Sequence, residues 1–475
     1  MSLLPRQLAF LTLRAIHRDA FADVALDRVL NQNDLLPPDR RLLTELVYGS
    51  IRRQRTLDAM IDHLARKKAH QQPSDLRTIL HLGLYQLCYL NHIPASAAVN
   101  TTVDLAKQNG LAGLAGFVNG VLRQFIRLVE QEKETGKSGS DEKLSSSPCL
   151  DPAGHVSNPR LSFLLSPSLS PIERLGILHS YPDWIVAVWL EQLGLQETEA
   201  LCEWMNQPPH IDLRVNTLQA TVESVEAAMQ AANVVVGRVP YLPQALRLLE
   251  PAGAVQQLPG FHEGQWMVQD SSAQLVGYLV DPQPGEVVAD ACAAPGGKTM
   301  HLAELMQDKG TVWACDRTPS RLKKLQQNAE RLGLHSIQTV AGDSRDMPQL
   351  REQCDRVLVD APCSGLGTLH RHADARWRQT PESVQELATL QTQLLEQAAT
   401  WVKPAGILVY ATCTLHPAEN ETVIQTFLTH HPQWRIEPPT PGSPPAAFTT
   451  PAGWVKVWPH RHDMDGFFMT RLKKS

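Results

Sequence analysis

Cys363 in "VDAPCSG" (359–365) and Cys413 in "VYATCTL" (409–415) each follow an apolar, β-branched run that reads as a strand. A cysteine inside a strand packs as a small hydrophobe, whereas one just past the strand end stands where chemistry is usually placed. Asp360 lies three residues before the first thiol. Two thiols and one carboxylate at strand ends form a set suited to covalent nucleophilic catalysis with proton transfer. The plain alternative is a pair of ordinary buried cysteines. Neither spacing nor composition says which thiol would attack.

A second constellation lies upstream in "DACAAPGGKT" (290–299), between an apolar strand and a helix. Gly296 and Gly297 allow close backbone approach, and the helix start offers N–H groups to an anion or carboxylate. Gly297-Lys298-Thr299 matches the end of a P-loop, but Cys292 occupies the place of that loop's first glycine, so a phosphate cradle is hard to form. The next strand ends in Asp316, about twenty residues after the glycines, the usual place for a carboxylate that holds ribose hydroxyls. Asp343 ends a third strand, positioned to accept from an adenine amino group, and Asp360 ends a fourth. Each Asp alone could be a turn or helix cap. Three at successive strand ends favour a nucleoside cofactor. A dinucleotide enzyme stays open as an alternative, although the G-x-G-x-x-G order is absent.

One reaction uses all these parts. The C5 carbon of cytosine is a poor nucleophile until a thiolate adds at C6 and makes C5 enamine-like, able to take a methyl group from a sulfonium donor. An acid near N3 and a base for the C5 proton complete the cycle. Beside the first thiol, His370, Arg371, His372, Arg376 and Arg378 form a basic cluster. Alone such a run reads as a solvated face, but next to a nucleophile that must meet a polyanion it reads as phosphate contact. A metal on His370, His372 and Cys363 lacks a fourth ligand at any usual spacing, so no metal is expected.

These residues must be carried by several folding units. A chain of 475 residues with 43% hydrophobic composition predicts two or three domains. Apolar positions recur at helical spacing from residue 6 to about 128, as in Leu43, Leu46, Val47 and Ile51 or Leu76, Ile79, Leu80, Leu84 and Leu87. Residues 129–172 are Ser/Gly/Pro-rich and charged, which predicts a flexible linker. A small α/β segment is expected over 173–255, and a core over 256–475 in which strands "EVVADA", "TVWACD", "IQTVAGD", "RVLVDA" and "GILVYAT" alternate with helices. Thr380 and Pro381 read as N-cap and N1 of one of them. That alternation predicts a parallel, doubly wound Rossmann-like sheet with ligands at the strands' carboxyl ends. The eight cysteines include no CxxC pair, which speaks against a disulfide scaffold or zinc module. No signal-peptide pattern or long apolar run is seen, so a cytoplasmic protein with no membrane partner is expected. Net charge is −5, yet residues 1–130 hold 16 Lys+Arg against 11 Asp+Glu, joining a basic module to an acidic remainder.

The stretches "DACAAPGGKT", "VDAPCSGLGTLHRHADARW", "YATCTLHPAENE" and "DMDGFFMTRL", with "RVNTL" and "VQDSSAQL", resemble the motifs of the Nol/Nop/Sun family of RNA cytosine-C5 methyltransferases over about 175–475. The helical front is similar to NusB in "IPASAAVN" (93–100) and "FVNGVLR" (117–123). The resemblance implies an all-α NusB-like domain before a class I methyltransferase core, S-adenosyl-L-methionine as cofactor and RNA, in this pairing 16S rRNA, as partner. It implies that Cys413 is the nucleophile and that Cys363 assists product release. It also implies that Cys292, Ala293, Ala294, Pro295, Gly296, Gly297, Lys298, Asp316, Asp343 and Asp360 hold the cofactor, Asp360 also reaching cytosine N3. Arg371, His372 and Arg376 are the expected RNA contacts. In the loop after Cys363, Ala373 and Arg376 replace a Pro and a Lys frequent in the family, and Ser96 replaces a His. Open alternatives are the same chemistry on tRNA or another rRNA site, and a non-catalytic RNA-binding assembly or antitermination factor.

Overall fold

The computed structural model describes residues 4–135, 149–150, 156–157 and 159–475. The chain forms two compact units, Met1–Asn206 with His372–Arg378, and Gln207–Arg371 with Gln379–Ser475.

The first unit is helical: α1 (Leu4–Ile16), α2 (Ala22–Gln32), α3 (Pro37–Arg52), α4 (Gln54–Leu64), α5 (Ser74–Tyr89), α6 (Ala95–Gln108), α7 (Ala115–Thr135), then α8 (Pro171–His179), α9 (Asp183–Leu193) and α10 (Leu195–Trp204). A two-residue antiparallel pair, β1 (Cys149–Leu150) and β2 (Val156–Ser157), lies between them. Leu43, Leu46, Val47, Ile79, Leu80 and Leu84 are fully buried, so the 3.6-residue spacing marks the face that makes the core. The expected linker over 129–172 falls partly outside the described residues. Within it, 129–135 continue α7, and Leu161 of a 3-10 turn is buried in the helical core. Helices α8–α10 group with the helical unit. The reason is polar as well as apolar: the Arg55 N–H donates to Ser180 Oγ at 2.9 Å, and the Thr56 hydroxyl donates to the Ile177 carbonyl at 2.6 Å.

The second unit opens with an antiparallel sheet ordered β4-β5-β3-β6, from β3 (Ile211–Val215), β4 (Val236–Arg238), β5 (Ala245–Leu248) and β6 (Trp266–Val268). Helix α11 (Val222–Ala231) is capped by Thr221, whose side chain accepts from the Ser224 N–H. The main sheet is ordered β12-β14-β11-β10-β7-β8-β9, with β13 on β14. Its parallel part is β7 (Val287–Asp290), β8 (Thr311–Asp316), β9 (Ile337–Ala341), β10 (Cys354–Asp360) and β11 (Val402–Thr412). The antiparallel edge is β12 (Trp434–Ile436), β13 (Val455–Val457) and β14 (Phe467–Lys474).

Side chains alternate across this sheet, as period-two geometry requires. Leu358, Val409 and Ala411 pack with residues of α12 (Ser271–Val280), α13 (Gly297–Leu305) and α14 (Pro319–Leu332). Val357, Val359, Leu408 and Tyr410 pack with α16 (Pro381–Ala399) and α17 (Glu421–His430), α15 being the short turn Ala375–Arg378. Both faces are covered, which is why these strands read as nearly continuous apolar runs. Helix α16 begins as expected, with Thr380 and Ser383 forming a reciprocal capping box and Pro381 at the first position. β7 lies between β8 and β10, so the strand order reverses there and a crevice opens at the carboxyl ends.

Candidate active site

Five strand ends meet at that crevice. β10 and β11 are parallel neighbours in the register Asp360↔Ala411, and each chain runs on a few residues before its cysteine. This brings Cys363 Sγ to 3.4 Å from Cys413 Sγ, with both residues half-buried. The thiols that the sequence separates by 50 positions are one site. Their loops cross tightly: the Gly367 N–H donates to the Cys413 carbonyl at 2.9 Å, and the Gly466 N–H to the Gly367 carbonyl at 2.8 Å. A Cβ at Gly367 would sit 2.1 Å from the Gly466 oxygen, so only glycine fits this crossing.

Asp360 is half-buried and takes the Lys298 ammonium at 2.6 Å. Burial opposes the charge on Lys298, but Asp360 more than offsets it and holds the ammonium above its ordinary value. Lys298 also stands 4.9 Å over the Phe467 ring. Its hydrogen bond with Cys413, its burial and the charges of Cys413 and Glu419 push the Cys363 thiol well above its ordinary value.

The β7–α13 loop is held from both sides. The Ala293 N–H donates to the Cys315 carbonyl at 2.8 Å, and the Cys292 and Ala294 N–H groups reach Asp290 and Asp316, each at 3.3 Å. Pro295 is exposed. Gly296 has φ 109°, where a side chain would meet Met300 and Leu325. Burial first, and the charge of Asp360, push Asp290 up to about 7 against the Thr299 hydroxyl bond at 2.7 Å. Asp316 is nearly buried and accepts the Thr318 N–H at 2.8 Å, with the exposed Arg321 at 3.4 Å. Asp343 is more open; bonds from Arg345 hold its carboxyl down at about 2.

A methyl donor with a nucleoside and an amino-acid end fits this loop set. Helix α13 has no side-chain cap, which leaves its first N–H groups to a carboxylate. A Cβ at Gly297 would find nothing nearer than 3.6 Å, so the loop face there has room for a ligand. Asp316 and Asp343 stand at consecutive strand ends, as ribose and base contacts require.

The expected RNA contacts need correction. Arg376 is fully buried within the helical unit, where it donates to the Arg52 and Ser180 carbonyls at 3.2 Å and to Asn206 Oδ1 at 3.0 Å, over the Tyr181 ring. Burial pulls its guanidinium down to about 10. It holds structure and has no face for phosphate. Arg371 is spent on Asp465 at 2.8 Å, Asp270 at 2.9 Å and the His210 carbonyl at 2.8 Å, and those carboxylates hold its charge against burial. His370 is buried at 2.9 Å from Asp465. Of the three expected contacts, His372 is exposed.

Sequence reasoning also missed residues. Asp465 and Asp270 lie in stretches carrying the family resemblance, "DMDGFF" and "VQDSS", yet nothing local marked them as partners of Arg371. Arg214 of "RVNTL" is buried on β3, bridging Glu304 of α13 at 2.6 Å and the Gly297 carbonyl at 2.7 Å. Its signals were a charged side chain in a strand and its place in the "RVNTL" stretch that carries the resemblance.

Comparison with known proteins gives this arrangement its family. Residues 277–473 match the family described as 16S rRNA methyltransferase RsmB/F, residues 4–127 the NusB family, and residues 181–256 an RsmF/B-like ferredoxin-like domain. A relative in Synechocystis sp., named probable ribosomal RNA small subunit methyltransferase B, is 48% identical over 99% of both chains. One of the same name in Bacillus subtilis is 34% identical over 96% of this chain and 95% of that one. Among solved structures, PH0851 superposes with TM-score 0.77 at 27% identity, covering 100% of this chain and 99% of that one. A methyltransferase homologue from Pyrococcus horikoshii gives TM-score 0.56 at 29% identity, over 66% of this chain and all of that one. With its strand-end loops fitted to S-adenosylmethionine as methyl donor and a NusB domain before the methyltransferase fold, the chain belongs to the ribosomal RNA small subunit methyltransferase B family.

Proposed function

We propose that the chain methylates C5 of one cytidine in 16S rRNA through a covalent cysteine adduct, with Cys413 as the nucleophile. The observation that carries this reading is the meeting of Cys363 and Cys413, Sγ to Sγ at 3.4 Å, at the carboxyl ends of two adjacent parallel strands. S-adenosylmethionine supplies an electrophilic methyl carbon. The Cys413 thiolate adds to C6 of a base displaced from its stack, and the electron pair of the C5–C6 double bond becomes available at C5. Asp360, held by the Lys298 ammonium at 2.6 Å, would serve N3 of the base and the amino-acid end of the cofactor. C5 would take that methyl carbon while the donor's sulfur keeps the broken C–S electron pair; a base then takes the C5 proton, its electron pair re-forms the C5–C6 double bond, and Cys413 leaves as the thiolate, a release that Cys363 assists. Residues 292–298 with Asp316 and Asp343 hold the donor.

In the same reading, 1–128 anchors RNA, 173–255 is a small RNA-facing subdomain and 256–475 is the catalytic core, with His372 left as the candidate phosphate contact. Bisulfite mapping of rRNA and tRNA from cells with and without the gene is the test. One 16S cytidine is expected to lose protection in the deletion. Loss at a tRNA or other rRNA site would move the substrate, and loss nowhere would leave a non-catalytic binding role.

A further inference from the structure

Beneath the two thiols lies a carboxylate that the proposed reaction does not use. Glu419, six residues past Cys413, is fully buried. Its Oε1 accepts the backbone N–H of Ser364 at 2.8 Å and Gln391 Nε2 at 2.9 Å, and its Oε2 accepts the Ser364 hydroxyl. The Ser364 oxygen lies 2.8 Å from Thr414 Oγ1. Gln391 Nε2 also donates to the Pro362 carbonyl at 2.9 Å. Pro362 and Ser364 flank Cys363, and Thr414 follows Cys413, so one buried group ties together the peptides on which both thiols ride.

We infer that Glu419 is a positioning residue that holds the two thiol loops together and fixes the separation of Cys363 and Cys413. Its importance for turnover rests on the proposed roles of those thiols; its effect on their separation does not. A buried carboxylate is costly unless its oxygens are met by donors, and here three donors converge on it from α16 and the Cys363 loop. Losing it would strand the Ser364 N–H and one Gln391 N–H bond in the interior and let the loops part. Tyr410 adds rigidity, its hydroxyl donating to the Glu419 carbonyl at 2.6 Å.

The test compares E419A and E419Q in the full chain. Glutamine can keep one oxygen for the Ser364 and Gln391 N–H donors while its amide donates to Ser364 Oγ, whose proton then turns to Thr414. Alanine cannot. The first readout is retention of phenylarsine oxide, which bridges two thiols only when they are close, with the Cys363→Ala variant as blank; it needs neither RNA nor cofactor. The second is kcat and KM for S-adenosylmethionine in rRNA methylation. E419A is expected to lose dithiol capture and to lower kcat by about 10²-fold, the scale of a misplacement near 1 Å, with KM little changed. E419Q is expected to restore capture and most of kcat. Wild-type capture and kcat in E419A would overturn the inference. So would an E419Q variant with normal capture that is as inactive as E419A, because then charge and not position would matter. If E419A fails to fold, Gln391→Leu, which removes one donor and leaves the carboxylate, must show intermediate capture; full capture there and in E419Q counts against the clamp. A wild-type chain that captures the arsenical yet methylates no RNA would sink the methyltransfer reading and leave the clamp standing.

Discussion

On the β7–β9 side of the crevice, strand-end carboxylates are met by loop N–H groups and by arginines that stand in solvent: Arg321 is 55% exposed beside Asp316, and Arg345 is 41% exposed beside Asp343. On the β10–β11 side, the thiol loops are tied to Glu419, Gln391 and Thr414 in the interior. Exposed ion pairs contribute little and are readily exchanged for ligand contacts, whereas buried hydrogen bonds are costly to break. In the proposed reading, the carboxylate half is left to be completed by the cofactor, while the thiol half is held by interior bonds before any substrate arrives.

The sharpest way to break this contrast is through the thiols, where the largest effect is expected. Cys413→Ser should lower methylation by roughly 10³-fold or more and abolish any protein–RNA adduct, since a hydroxyl does not ionise at neutral pH. Cys363→Ala should still attack but release slowly, so that adduct accumulates on a denaturing gel with labelled rRNA when cofactor is present. Adduct in Cys413→Ser and none in Cys363→Ala would reverse the roles.

The cofactor half should respond by degrees set by burial. Asp316→Ala removes a nearly buried acceptor and should weaken S-adenosylmethionine binding by about 2 kcal/mol, near 30-fold, in calorimetry. Asp343→Ala removes a carboxylate that is 37% exposed and screened by water, and should cost about threefold or less. Equal losses in the two variants would mean that exposure does not grade this half of the site.

Much of this was legible because it is local. The strand ends at Asp316 and Asp360, the Thr380–Pro381 helix start and the glycine loop each follow from a few neighbouring residues. What the residues alone could not show was partnership over long separations. Arg371 and Arg376 sit in a cluster that looks like a solvated, phosphate-ready face, yet Asp465 lies 94 positions from the one and Asn206 170 from the other. A charge run carries no mark of the partner that will bury it. Glu419 escaped for the same reason: its partners Ser364 and Gln391 lie on another strand's loop and another helix.

The smallest expected effect tests whether the β7 end is neutral or charged. Asp290 is 1% exposed, and burial with the neighbouring Asp360 charge raises its carboxyl from an ordinary 3.8 to about 7. A carboxyl whose folded pKa is raised stabilises the fold below its unfolded pKa, and that contribution is lost as pH rises through the folded value. Wild-type stability from this group should therefore be complete below about pH 4 and gone above about pH 7. Asp290→Asn cannot ionise, and it gives up one of the two bonds that Asp290 makes to Cys292 and Thr299. It should be less stable than wild type at pH 5.5, with the gap in melting temperature closing by about 2 °C at pH 8.5. A gap that stays constant across this range would show that Asp290 is ionised throughout, its buried charge held by the Cys292 and Thr299 bonds and the nearby Lys298.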